Sequence, residues 1–130
     1  MDDRPVTRAV HAANPRTRLV DDALGPVALR GLIAGLDLLV TSRFHAMISA
    51  LVTTTPVLVV GWSHKYAEVL DEIGLDGCVA DWRDADAEDL ANRAKELLAR
   101  ADDIRATIAA ALPAVIARSE RNYEVISACT

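Results

Sequence analysis

The stretch "DLLVTSRFHAMISALVTTTPVLVVGWSHK", residues 37–65, decides the fold. One apolar run occupies residues 37–42, and a second, rich in β-branched residues, occupies residues 56–62. Short unbroken apolar runs are typical of strands that a parallel sheet buries on both faces. Residues 43–54 lie between them and repeat apolar side chains at helical spacing. This order of strand, helix and strand predicts an α/β fold with a mostly parallel, Rossmann-like sheet.

The rest of the chain continues the alternation of short apolar runs with longer amphipathic ones. It predicts a single domain over residues 1–130, with helices flanking the sheet. The further elements that we expect are a short strand at 18–22, a helix at 25–36 with Pro26 in its first turn, a helix at 64–75 ending at Gly74, a strand at 77–81, a helix at 86–100, and a long C-terminal helix at about 102–127, bent or broken near Pro113.

Composition excludes several classes of protein. A net charge of −5 and 4% aromatic residues argue against nucleic-acid binding, which needs a basic face and often stacking side chains. The opening "MDDRPVTR" is not a secretory signal, and no apolar run approaches the length of a membrane span. Cys78 and Cys129 lack the spacing of metal ligands, so we expect free thiols, no metal site and a cytoplasmic protein.

The interval from Leu38 to Ala67 contains no carboxylate, although the chain as a whole is acidic. Its charged or titratable side chains follow the two predicted strands: Arg43 and His45 after the first, His64 and Lys65 after the second. Ligands of parallel α/β sheets collect at the carboxyl ends of neighbouring strands. The pattern therefore predicts an anion-binding site at that edge.

Each of these residues has a chemical role that suits an anion and a more ordinary alternative. Thr41 and Ser42 can cap the helix near Arg43, whose guanidinium fits phosphate or carboxylate, and His45 can exchange a proton near neutral pH. Alternatively, Arg43 pairs with Asp21 or Asp22, and His64 and Lys65 are solvated loop residues. Neither glycine-rich phosphate-binding fingerprint is present in the sequence.

The same stretch resembles the polysaccharide pyruvyl transferase family. The family's strand, its R-[LF]-H-[AG] element, its proline-led second strand, its lysine and its helix ending near "GL" match Asp37, Arg43, Phe44, His45, Ala46, Pro56, Lys65, Gly74 and Leu75. The segment "RSERNYEVI", residues 118–126, resembles the family's terminal helix, which extends the likeness over roughly residues 17–126. Phe44 stands where leucine is usual.

The resemblance implies part of the C-terminal, Rossmann-like domain of a two-domain GT-B enzyme. Such enzymes transfer a pyruvyl group from phosphoenolpyruvate to sugar hydroxyls as a ketal, in exopolysaccharide or cell-wall biosynthesis, without a further cofactor. It implies catalytic roles for Arg43 and His45 and substrate binding by Arg43, Phe44, His45 and Lys65. The anion-site pattern adds Ser42 and His64 to the expected substrate-binding residues. A cytoplasmic location, or one peripheral to the membrane where such precursors are made, is the matching expectation.

The chain is shorter than a two-domain member of that family. We therefore expect this isolated piece to be inactive and to need either an N-terminal domain or a second copy of itself, as a homodimer exchanging residues 102–127. Two other functions stay open. One is a fragment of a GT-B nucleotide-sugar glycosyltransferase, and the other is a non-catalytic module that mediates oligomerisation.

Overall fold

A computed structural model describes residues 4–20, 22–61 and 63–128, with the backbone alone at residues 123 and 125–128. Helices and strands alternate as the sequence predicts. The elements in chain order are α1 (Arg4–Ala13), α2 (Pro26–Ala34), β1 (Leu39–Thr41), α3 (Phe44–Val52), β2 (Val57–Val60), α4 (His64–Glu72), a 3-10 turn (Asp76–Cys78), β3 (Val79–Ala80), α5 (Ala87–Ala99) and α6 (Ala101–Ala128).

The three strands form one parallel sheet in the order β1-β2-β3. Thr41 of β1 pairs with Val59 of β2, so the two strands end side by side. The central strand is buried on both faces, with Val57, Leu58 and Val59 all at 0% exposure. The predicted mixed α/β fold with a parallel sheet is confirmed, and the GT-B relationship stays a prediction.

The hydrophobic core lies between β2 and the helices on either side of it in the chain. Its largest fully buried side chains come from four elements: Met47 of α3, Leu58 of β2, Leu70 of α4 and Ile108 of α6. The long C-terminal helix is therefore anchored in the core by its first half. Part of that half covers α3, with which α6 is in contact.

The end of α4 follows from its sequence, as predicted. Gly74 has φ +79°, a backbone conformation that glycine adopts without steric cost. The N–H of Gly74 donates to the Asp71 carbonyl at 3.0 Å, and that of Leu75 donates to the Leu70 carbonyl at 2.8 Å. This pair of bonds is a Schellman motif, and it turns the chain toward β3.

The strand predicted at 18–22 is wrong over its described residues. Residues 18–20 and 22 form no strand, and Val20 is 42% exposed. A strand needs a neighbour for its backbone hydrogen bonds, and β1 pairs with β2 alone among the described residues. Asp21, which completes the predicted segment, lies outside the described residues.

Two helices differ from their predictions. Helix α1 was not expected, because its polar sequence contains only Val6 and Val10 as large apolar residues, and it buries no residue. Helix α6 continues through Pro113, so a break there is wrong, whereas a bend stays a prediction. Pro113 and Ala109 are both exposed, so water can reach the carbonyl that the proline leaves without its helical partner.

Cys78 is a buried free thiol, as predicted, and its burial raises the pKa of that thiol. Cys129 lies outside the described residues. Among the helices that the structure describes, none has the length and apolar character needed to cross a membrane.

Candidate anion-binding site

The predicted site residues lie at one edge of the sheet. The chain leaves β1 at Thr41 and β2 at Val60, and each strand leads within three residues into a helix, α3 or α4. Because β1 and β2 are parallel neighbours, both helices begin at the same edge. We call this set the rim: its first half is Ser42–His45 and its second half is His64–Lys65. Sequence reasoning therefore placed both halves correctly relative to the sheet.

Helix α3 begins without a side-chain cap. Its N-cap residue is Arg43, whose backbone N–H donates to Thr41 Oγ1 at 3.0 Å. The expectation that Thr41 and Ser42 cap α3 is therefore wrong, because the helix begins after Arg43 and the Thr41 hydroxyl lies outside its first turn. With no side chain capping that turn, its N–H groups stay available to an acceptor supplied by a ligand.

Helix α4 begins at the second half of the rim. Ser63 is its N-cap, and the Ser63 hydroxyl accepts from the backbone N–H of Lys65 at 3.4 Å. His64 is largely exposed, and its Nε2 lies 4.0 Å from Oε1 of Glu68 one turn later. His64 is thus an exposed side chain with an acidic neighbour on its own helix, which fits the alternative of a solvated residue as well as a substrate-binding one.

His45 and Lys65 keep their side chains available. Both residues are exposed, and within the described chain neither side chain makes a hydrogen bond or an ion pair. The His45 ring contacts Phe44 edge-on, with ring centroids 6.0 Å apart. A basic side chain held this way can meet an anion without first breaking an internal pair.

Tyr66 connects the two halves of the rim, and sequence reasoning missed it. Its hydroxyl donates to the Ser42 carbonyl oxygen at 3.0 Å, and its ring lies 5.9 Å from the ring of Phe44. These contacts join α4 to the start of α3 across the sheet edge. The signal that points to it is the position next to Lys65, since an aromatic residue in the first turn of α4 can reach the neighbouring strand's end.

Gly61 makes room for that ring. A Cβ built on Gly61 would lie 2.8 Å from two carbon atoms of the Tyr66 ring, closer than real Cβ contacts. The ring cannot retreat freely, because its hydroxyl is bonded to the Ser42 carbonyl. Glycine at position 61 is therefore required by the approach of the Tyr66 side chain to the backbone.

Helix α1 approaches the first half of the rim from the other side. An open depression of about 410 Å³ is lined by Val6, Thr7 and Val10 of α1 together with Ser42 and Arg43. Another cavity, of about 640 Å³, is lined by residues 74–78, by α5, and by Arg100 and Ile104. Residues 74–78 precede β3, so this cavity lies at the opposite edge of the sheet and contains no predicted site residue.

The strand end next to the rim carries a carboxylate that is already engaged. Asp81 directly follows β3. The single Nε–H of Arg83 is shared between the two carboxylate oxygens of Asp81, at 3.0 and 3.2 Å, and Arg83 Nη2 also donates to Asp81 Oδ2. These bonds lower the pKa of Asp81 to about 2. The helix predicted at 86–100 is confirmed as α5, with Asp86 as its N-cap. Among the described residues there is no group of side chains suited to a metal ion.

Comparison with known families supports the resemblance over part of the chain. The family model described as polysaccharide pyruvyl transferase matches residues 3–64, which include Arg43, Phe44, His45 and His64. Lys65, Gly74, Leu75 and the segment 118–126 lie beyond the match, so their resemblance stays a prediction. Comparisons with curated proteins and with solved structures gave no significant match. Residues 3–64 of this chain are therefore similar to the polysaccharide pyruvyl transferase family.

Proposed function

We propose that the rim binds phosphoenolpyruvate as part of a polysaccharide pyruvyl transferase. The family match over residues 3–64 is the observation that carries this proposal, because it includes the first half of the rim. The exposed basic side chains at the ends of two parallel strands support it. Phosphoenolpyruvate carries a phosphate and a carboxylate, and both favour helix N-termini and cations.

The proposed reaction makes a ketal from one phosphoenolpyruvate and two sugar hydroxyls. A proton adds to the methylene carbon, the first hydroxyl oxygen attacks C2, and the bond between C2 and the phosphate oxygen breaks to release inorganic phosphate. The second hydroxyl then closes the ring. Of the two hydroxyl protons, one replaces the proton given to the methylene carbon and the other leaves with phosphate.

Two residues carry the proposed chemistry. Arg43 holds the phosphate or the carboxylate through its planar guanidinium, and His45 donates the proton or binds the phosphate. Ser42, Phe44, His64 and Lys65 line the substrate, with Lys65 as an auxiliary cation. The acceptor is a saccharide of exopolysaccharide or cell-wall biosynthesis, and the parent architecture is the two-domain GT-B fold with its cleft between domains. No cofactor beyond the donor substrate is proposed.

Calorimetric titration of phosphoenolpyruvate tests the assignment of Arg43. Replacing Arg43 by alanine removes a charge-assisted, two-point contact, which typically costs about 2–3 kcal/mol. We expect binding to weaken by about tenfold to a hundredfold, with little change in the melting temperature. The matched control is Arg93→Ala, which removes an exposed arginine of α5 that lines the opposite cavity. Equal affinity in parent and Arg43→Ala proteins would refute the site.

A second candidate function is oligomerisation, and the β1 side of the molecule favours it. Val40 of β1 is 52% exposed, and α2, the helix before β1 in the chain, exposes Val27, Leu29 and Leu32 at 87%, 47% and 43%. An apolar sheet edge without a covering element is an efficient template for pairing with another chain. We propose a homodimer through this side, which is compatible with substrate binding at the rim.

A further inference from the structure

We propose that Tyr66 fixes the separation between the two halves of the rim, so that the site prefers a ligand with two anionic groups over a ligand with one. The inference rests on the proposed function, because phosphoenolpyruvate is the two-anion ligand considered. Its structural basis is independent of the ligand: a hydrogen bond, a ring contact and a glycine that admits the ring.

The hydrogen bond joins α4 to the backbone of the first half of the rim. Its acceptor is the main-chain carbonyl of Ser42, directly before Arg43, the N-cap of α3. The bond therefore positions the chain where α3 begins, whatever side chain occupies position 42. The donor residue follows Lys65 in the first turn of α4. One bond thus connects the two segments that carry the basic residues.

The ring makes this connection stiff. Tyr66 is packed against the backbone of Gly61 so closely that a Cβ there would overlap it, and its other neighbour is the Phe44 ring at 5.9 Å. A tyrosine has only two side-chain torsions, and contacts on both sides restrict them. The two helix starts therefore keep one separation instead of sampling several.

A fixed separation affects one-anion and two-anion ligands differently. A ligand that spans both halves gains the second contact at low cost when the halves are already ordered. Inorganic phosphate occupies one half at a time, so its affinity does not depend on the distance to the other half. Tyr66 is on this view a positioning residue that acts through Arg43 and Lys65.

Titrations of Tyr66→Phe with phosphoenolpyruvate and with inorganic phosphate separate this role from simple stabilisation. The phenylalanine keeps the ring against Gly61 and removes only the hydroxyl. We expect phosphoenolpyruvate to bind about three- to tenfold more weakly, the effect of one hydrogen bond, and phosphate to bind as in the parent. A merely structural tyrosine would change both affinities or neither.

A second variant checks the connection itself. Lys65→Ala should weaken phosphoenolpyruvate binding in the parent and have a smaller effect in the Tyr66→Phe background, where Lys65 is no longer held at a fixed distance. Equal effects in both backgrounds would contradict the inference. The affinity of the Arg43→Ala protein for phosphoenolpyruvate is measured in the same buffer for comparison.

The outcomes distinguish this inference from the proposed function. If the parent chain does not bind phosphoenolpyruvate, both fail. If the parent binds it and Arg43→Ala weakens binding, but Tyr66→Phe keeps the parent ratio of the two affinities, the inference alone fails. Should Tyr66→Phe not fold, fluorotyrosine in the Tyr123→Phe protein reports on Tyr66. Its ¹⁹F signal should shift with phosphoenolpyruvate and not with phosphate, and any other pattern overturns the inference.

Discussion

Helices α2 and α3 have equal length and similar apolar periodicity, yet they bury different numbers of side chains. Each spans nine residues, and α3 buries Met47, Ala50 and Leu51, whereas α2 buries Ile33 alone. Helix α3 connects two paired strands and is packed against them, against α6 and against one side of α2. Helix α2 precedes the edge strand, where the described chain offers no further strand to pack against.

The comparison shows that a periodic sequence predicts a helix and leaves open whether its apolar face is covered. Local spacing decides the first, and the neighbours that the fold supplies decide the second. The family match spans both regions, since residues 3–64 include α2 and α3. The two helices therefore differ in how their apolar faces are packed, although both lie within the matched residues 3–64. Substitutions can measure this difference.

The largest expected effect is on the free energy of unfolding, and it contrasts the central strand β2 with the exposed face of α2. Leu58→Ala should lower the free energy of unfolding by about 2–5 kcal/mol, because Leu58 has 0% exposure and its truncation leaves a cavity. Val27→Ala, at an 87% exposed position of α2, should change it by less than about 0.5 kcal/mol. Urea unfolding measures both. Similar losses would show that α2 is packed in solution.

A smaller effect on stability is expected from alanine substitutions at two glycines, one after β2 and one inside α2. Gly61→Ala should cost about 1–3 kcal/mol, because its Cβ would lie 2.8 Å from the Tyr66 ring. Gly31→Ala meets no atom within 4 Å and lies inside α2, so alanine should stabilise that helix by about 0.5–1 kcal/mol. Thermal unfolding gives the two signs. A neutral Gly61→Ala would mean that the ring is free to move.

The smallest expected effect on unfolding comes from a substitution on the exposed edge of β1, which we expect to change the oligomeric state instead. We expect a homodimer of twice 14.0 kDa by light scattering at tens of micromolar. Val40→Lys places a charge on the apolar edge of β1 and should shift the protein toward the monomer with little change in unfolding. Leu98→Lys is the control, since Leu98 is 46% exposed on α5, which follows β3, the strand at the other side of the sheet from β1. A monomeric parent would contradict the proposed dimer.

Most of the fold was predictable because its elements have local causes. The run at 57–60 became the central strand, and Gly74 ended α4 through its positive φ. The strand expected at 18–22 failed because strand formation depends on a partner, which the periodicity of five residues does not reveal. Helix α1 was missed because an exposed helix with two large apolar residues has almost no periodic signal.

The candidate site also has parts that the sequence predicted and parts that it did not. Its two halves were predictable, since parallel strands that alternate with helices must end at a common edge. The start of α3 was placed too early, because a capping pattern indicates a helix start only within a residue or two. The hydrogen bond of Tyr66 was not predictable, because its acceptor is the Ser42 carbonyl, 24 positions earlier in the chain.

By itself, the sequence determined the three strands of the sheet, the helices from α2 onward and the position of the basic residues, because hydrophobic spacing, proline, glycine and charge act over a few neighbouring positions. Tertiary structure alone decided which apolar faces are covered and which side chain joins the two halves of the rim. The physical reason is that burial and hydrogen bonding across the sheet edge depend on distances in space. Gly61 illustrates this, since its need for glycine comes from a tyrosine ring five residues away whose position depends on the contact between two helices.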